Sequence, residues 1–491
     1  MTGHSSSCAE IAEQFPRLRA PELADLCSEL QELRERTRSF ARQELIPRAL
    51  ELDRRAGEEP GYFDWDVVRA GARAGMLRFL VPAPAGGSGG LAMHACIMME
   101  ELCAACAGIG LIFGAHGLGI TPLLLGGAAH WDGVLAQLVA SEASERPLLM
   151  ALAITEPEAG TDVEDPDLLA RGRITSHARR VPGGYRLSGT KRFISNGSVA
   201  RWISVVMPTD PMRPAETETC FLVDTRSEGF AVSRAEHKMG QRACPAAELS
   251  FDEVFVPDEL LVGREGDGAT ETLIVLACSR PPVGAIGTGI ARGAYERLRA
   301  WLHEDDVGAR LLERQHVQLA LAQMEEEIHL AHQAYMDAAM EIDLWALGPT
   351  MRHPAARLLA GLPPSFRRRS RVRRKLLSGT ARAQTVALLH RTTDDRRLSR
   401  AVGLSSLAKA RGGDVAVRVT SAALQIAGLR AGPLRAELEK LWRDAKLVQI
   451  YEGTNQLNRV EVFRTLSNEE EMRCLPPRES IEPARMNGAR A

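Results

Sequence analysis

The chain has 491 residues, with 61 lysines and arginines against 63 aspartates and glutamates, and a formal net charge of −2. That length exceeds one ordinary core and suits two or three packed units, and the even charge balance gives no reason to expect nucleic acid or an anionic membrane surface as partner. Nine scattered cysteines with no short spaced framework point to free thiols in a reducing, cytoplasmic setting, and no uninterrupted run reaches the roughly 18 apolar residues that span a bilayer. The first residues lack a charged start followed by an apolar stretch, so a soluble, unprocessed protein is expected.

From about Pro21 to Gln137 apolar residues recur at helical spacing, as in "ADLCSELQELRERTRSFARQEL", interrupted by the Pro/Gly loop "VPAPAGGSGGL". This predicts an N-terminal α-helical domain over 1–149. Over 150–265 the texture changes to short β-type runs with turn signals, such as "ARWISVVMPTD" and "AELSFDEVFVP", which predict a small antiparallel β domain. Helical patterns return over 266–467, with an interruption around 346–400 in which seven of the nine residues from Arg367 to Lys375 are basic. It reads as an insertion, more simply a solvated face than a phosphate-binding patch. Residues 468–491 read as a polar, poorly ordered tail.

"GAIGTGIARGA", Gly284 to Ala294, mimics a phosphate loop but follows helical sequence rather than a strand, so close helix packing is the expectation. "CAAC", Cys103 to Cys106, is a single Cys-x-x-Cys inside an apolar helix; no metal site is expected. In "ALAITEPEAGTDV", Ala151 to Val163, a short strand runs into a turn holding Thr155, Gly160 and Thr161, and its hydroxyls and amides suit the polar edge of a flat heteroaromatic ligand as well as an ordinary turn. "GTKRFISNG", Gly189 to Gly197, places Phe193 and Ser195 on one face of a strand, an aromatic to cover a ring and a hydroxyl for its edge. In "LVQIYEGTNQLNRVEVF", Thr454 predicts the N-cap of a helix whose apolar face is Leu457, Val460, Phe463 and Leu466. Glu452 just before it is either an acid favoured at a helix start or a carboxylate raised by apolar surroundings into a base.

These segments, with "KMGQRA" and "RDAKLVQIYEGTNQ", resemble the signature blocks of the acyl-CoA dehydrogenase flavoprotein family, from roughly Leu23 to Leu466 minus the insertion. The resemblance implies an α+β fold of N-terminal α-helical, middle antiparallel β-barrel and C-terminal four-helix-bundle domains, with FAD between the β domain and the bundle. It further implies a homotetramer or homodimer with an electron-transfer flavoprotein as electron acceptor. By matching positions, Leu152, Ile154, Thr155, Thr161, Phe193, Ile194, Ser195, Gln425, Gly428, Thr454 and Gln456 would contact FAD. Thr161, Arg280, Tyr451, Gly453, Leu111 and Gly114 would contact the substrate, and Glu452 falls on the catalytic base. Some members carry the base just before an arginine that matches Arg280, where this chain has Ser279. The implied reaction, in fatty acid metabolism, is α,β-dehydrogenation of an acyl thioester of coenzyme A or an acyl carrier protein. Glu452 takes the α-proton while a β-hydride passes to flavin N5, leaving a trans-2-enoyl thioester.

Three family features are replaced. An arginine-phenylalanine-glycine block that contacts FAD reads Glu304, Val307 and Gly308, which exchanges attraction to a pyrophosphate for repulsion. Leu429 and Ala431 stand where the family has glycines, and Ala277 where it has an aspartate. These changes keep two rivals open, a non-catalytic structural or binding subunit and a flavin monooxygenase on the same fold.

Overall fold

The structure, a computed structural model, describes residues 20–126, 130–346 and 395–466. The arginine-rich stretch and the polar tail lie outside the described residues. Helix α1 (Ala20–Phe40) runs through a π-helical turn at Ala41–Leu45 and a 3-10 turn at Ile46–Arg48 into α2 (Ala49–Glu58). Next come α3 (Trp65–Arg73), whose N-cap Asp64 accepts from the Asp66 and Val67 amides, α4 (Ala92–Leu125) and α5 (Asp132–Ser141). The first amides of α4, those of Ala92 and Met93, donate to the remote carboxylate of Asp343 at 2.9 and 2.8 Å, an anion at the positive end of a helix.

The middle domain is two four-stranded sheets, ordered β1-β4-β5-β8 and β2-β3-β7-β6. Its strands are β1 (Met150–Ala153), β2 (His177–Val181), β3 (Gly184–Ser195), β4 (Trp202–Pro208), β5 (Glu218–Asp224), β6 (Phe230–Ala235), β7 (Ala246–Pro257) and β8 (Leu261–Val262). All pairings are antiparallel except β1 with β4. The inward faces, including Tyr185, Leu187, Phe221 and Val254, form their own core.

The C-terminal domain holds α6 (Gly268–Glu304), α7 (Asp306–Leu312), α8 (Gln315–Met340), α9 (Asp395–Ala427), α10 (Pro433–Val448) and α11 (Asn455–Leu466). The small residues of "GAIGTGIARGA" bring backbones together, as expected. A Cβ on Gly287 would stand 2.4 Å from the Gly412 carbonyl oxygen on α9, and one on Gly293 only 2.2 Å from that of Ala104 on α4. Among the described residues α4 and α6 are long and apolar enough to cross a membrane, which the search for uninterrupted apolar runs did not anticipate. Their apolar stretches are 94% and 78% buried inside the protein, as central helices of a large bundle are covered on all sides. Glu100 on α4 ties that centre together, accepting from Arg292 at 2.7 Å, from Tyr335 and from His332 at 2.9 Å. Cys103 and Cys106 are buried and free, as are Cys96, Cys220 and Cys244. Cys27 is disulfide-bonded and departs from the expectation of thiols throughout.

Candidate functional site

A cavity of ≈ 330 Å³ lies where α4, α6, the β domain and the turn before α11 meet. Most of its wall is apolar, from Leu77, Phe79, Met98, Met99, Leu111, Phe113 and Gly114 to Leu276, Val283 and Ile286. Leu152, Ile154, Thr155, Phe193, Ile194 and Ser195 of the β domain line it, as do Ser279, Tyr451, Glu452 and Glu164. His116, also in the wall, is buried and held down to about 4, hence neutral. It accepts from the Met150 amide through Nδ1 at 3.0 Å, which leaves the Nε2–H to donate to the Leu77 carbonyl at 3.1 Å and ties α4 to β1.

Glu452 sits on an unusual turn. Its φ is +56° and that of Gly453 is +75°, two consecutive left-handed residues that point the carboxylate toward the cavity. Several groups hold the turn. Arg280 Nε and Asn458 Nδ2 donate to the Glu452 carbonyl at 3.3 and 3.2 Å, and Lys409 donates to the Gly453 carbonyl and, at 2.9 Å, to Asn455. Ser279 Oγ donates to Glu452 Oε2 at 2.6 Å. Burial raises the Glu452 carboxyl above its ordinary value, against the lowering pull of Ser279, Arg280 and Lys409. Desolvation therefore wins, and the group is placed for proton transfer rather than for a simple ion pair.

The prolines of α6 place Ser279 and Arg280. Pro281 has no N–H, so the Ala277 carbonyl loses its helical donor. Ser405 Oγ on α9 supplies a replacement at 2.8 Å. Arg280, only 1% exposed, turns inward, donating to Ser406 Oγ at 3.0 Å as well as to the Glu452 carbonyl. Arg280, expected to contact substrate, holds the Glu452 backbone carbonyl and is not among the residues that line this cavity.

The other expectations divide. Phe193 and Ser195 both reach the cavity, though not by simple alternation. The β3–β7 register shifts between Lys191 and Ile194, and Phe193 takes φ +59°, so three successive residues, Phe193, Ile194 and Ser195, face one cavity. Phe193 leaves 55% of its surface uncovered. Thr161 begins a 3-10 turn, Thr161–Glu164, and it is Glu164 that lines the wall. Gly453 lies behind Glu452 and is not among the residues that line the cavity. Thr454 is the N-cap, accepting from the Leu457 amide at 3.2 Å, and Gln456 is exposed. Gln425 is exposed on α9, and Gly428 (φ +58°) ends that helix away from the cavity. The apolar face expected for α11 is also corrected: Leu457 is buried, but Val460 and Phe463 are 44% and 69% exposed. The helix docks instead through amides, Asn455 to the Ala410 carbonyl and Asp414, and Asn458 to the Glu452–Gly453 turn.

Ser279, Glu164, Lys409 and Asn458 were not foreseen as site residues. Ser279, Glu164 and Lys409 reach the Glu452 turn across long sequence separations, where local spacing carries no mark, while Asn458 reaches it from the first turn of α11.

The sequence matches three models along its length: the N-terminal domain of acyl-CoA dehydrogenase over 28–139, the middle domain over 151–254 and the C-terminal domain over 266–360 and 369–466. It is 32% identical to a cyclohex-1-ene-1-carbonyl-CoA dehydrogenase of Geobacter metallireducens, over 87% of this chain and 95% of that one. It is 29% identical to a probable acyl-CoA dehydrogenase of Mycobacterium tuberculosis, over 91% and 97%. The fold is shared with butyryl-CoA dehydrogenase from Megasphaera elsdenii, with a TM-score of 0.69 over 89% of this chain and 98% of that chain at 23% identity. With its helical, β and helical domains each matched in order, the chain belongs to the acyl-CoA dehydrogenase family.

Proposed function

We propose that the chain is an FAD-dependent acyl-thioester α,β-dehydrogenase whose base is Glu452. The observation that carries this reading is the placement of one carboxylate, raised by burial and hydrogen-bonded by Ser279, in the wall of an apolar cavity. The residues present fit a flavin. Phe193 offers a largely uncovered ring on a left-handed backbone, and Thr155 and Ser195 bring hydroxyls to the same wall beside Leu152 and Ile154. FAD bound there would supply a two-electron acceptor for hydride.

The chain's own residues supply the rest. Met98, Met99, Leu111 and Phe113 give an acyl chain an apolar seat and exclude water from the reacting carbons. The Glu452 N–H, in keeping with the family resemblance, would donate to the thioester carbonyl and acidify the α-carbon. Glu452 then accepts the α-proton at a carboxylate that Ser279 holds in one orientation. An electron-transfer flavoprotein as acceptor and a homotetramer or homodimer as assembly follow from the same likeness, and coenzyme A is preferred to a carrier protein as thioester carrier.

The test is the absorption spectrum of purified protein before and after anaerobic addition of butyryl-, octanoyl- and palmitoyl-CoA. Bleaching of a bound yellow flavin by one of them supports dehydrogenation. A colourless protein that takes up no added FAD sinks it and favours a structural subunit.

A further inference from the structure

Behind the base lies a second acid. Glu164 closes the 3-10 turn Thr161–Glu164, lines the same cavity as Glu452, and has a side chain only 13% exposed. Its Oε2 is 3.6 Å from Arg280 Nη2, and neither atom has a hydrogen-bond partner among the described residues. The same oxygen would lie 2.8 Å from a Cβ built on Gly453, so it presses on the turn that carries the base.

Three elements meet there. Facing Glu164 are Arg280 from α6, Lys409 from α9, and Glu452 with the Gly453 N–H from the turn before α11. On its own turn Asp162 and Asp165 flank it, and Asp165 pairs with Arg464. Arg280 thus stands between two carboxyl-bearing residues, touching the carbonyl of one and approaching the carboxylate of the other.

We propose that Glu164 is a positioning residue for the base: wedged between Gly453 and Arg280, its carboxyl fixes the Glu452–Gly453 turn and couples that turn to a second ionisation. The proposal rests on Glu452 being the base. Its physical ground is that a buried carboxyl feels the charges around it, so that ionisation of Glu164 depends on Arg280 and on the charge of Glu452. The electrostatics agree. Burial pushes Glu164 up to about 7, Arg280 draws it down and Glu452 raises it again, while Lys409 is pushed down by burial to about 7. Near neutral pH the pocket therefore changes charge directly behind the base.

The experiment follows exchange of the α-protons of butyryl-, octanoyl- and palmitoyl-CoA with deuterated water by the FAD-loaded, full-length protein, as a function of pH. Wild type is compared with Glu164→Gln, Glu164→Ala, Glu164→Asp and Glu452→Gln. The Glu164→Gln profile should show one ionisation fewer than wild type, with Glu164→Asp restoring it and the contributions of Glu452 and Lys409 common to all three. Glu164→Ala should lose about 10- to 100-fold in exchange rate at unchanged KM, the size of effect that a small misplacement of a base produces.

If the Glu164→Gln profile superimposes on wild type and Glu164→Ala exchanges normally while Glu452→Gln does not, the proposal is overturned and the base assignment survives. Exchange by Glu452→Gln at the wild-type rate would overturn the base assignment itself. Absence of exchange in wild type with all three thioesters would overturn both.

Discussion

Replacing Glu452 by glutamine separates charge from shape. The amide is the same size, and its oxygen can still accept from Ser279 Oγ, which now bonds the carboxylate at 2.6 Å. The backbone carbonyl held by Arg280 at 3.3 Å and Asn458 at 3.2 Å is untouched. The turn should therefore persist, with stability changed little, since the lost attraction to Arg280 and Lys409 is offset by no longer burying a charge. What disappears is the acceptor for the α-proton. Removing a general base costs about 10²–10⁴ in rate, or ~3–5 kcal/mol of barrier. Anaerobic stopped-flow bleaching of the flavin by an acyl-CoA reads this loss directly. Because burial raises Glu452 above its ordinary value, the wild-type rate should fall as pH drops through that raised value, and the variant should lack that dependence. A Glu452→Gln protein that bleaches within threefold of wild type, with the pH dependence intact, would refute the assignment.

Three further outcomes are expected. Gly293→Ala, whose Cβ would stand 2.2 Å from the Ala104 carbonyl oxygen, should destabilise the protein by at least ~1–3 kcal/mol in denaturant titration, whereas Gly133→Ala, with open space around it, should gain up to ~1 kcal/mol. Glu100→Ala should cost about 1–3 kcal/mol by removing the acceptor that Arg292, His332 and Tyr335 share, while Arg292 keeps Glu101 and Glu296 as partners. Burial alone would raise Glu100, but His332 and Arg292 overcome this and hold it well below the carboxylate range, so its stabilisation is complete above its unfolded value and is lost as pH falls through the depressed folded one; melting curves across that acid range should be flatter in the variant. Gly453→Ala forces a side chain onto φ +75° and against Glu164 and Asn458, and should lower both the melting temperature and the rate of flavin bleaching.

The order of domains was legible because hydrophobic periodicity switches from helical to alternating near Met150 and back near Gly268. Glu452, Thr155, Phe193 and Ser195 were legible as parts of blocks that carry a family's chemistry, and the structure brings them to one cavity. The supports of the base were not. Lys409 reaches the Gly453 carbonyl across 44 positions and Ser279 reaches Glu452 across 173, distances at which local pattern carries no signal. The final helix misled for a related reason. Its apolar residues have helical spacing, but its buried face is chosen by two asparagines whose amides donate to the Ala410 and Gly453 carbonyls.

The left-handed backbone at Glu452 has an evolutionary consequence. A non-glycine residue there costs roughly 1 kcal/mol or more, which glycine would recover. Drift toward stability at this position therefore runs against chemistry, and a lineage freed from the need to abstract a proton should lose this glutamate early.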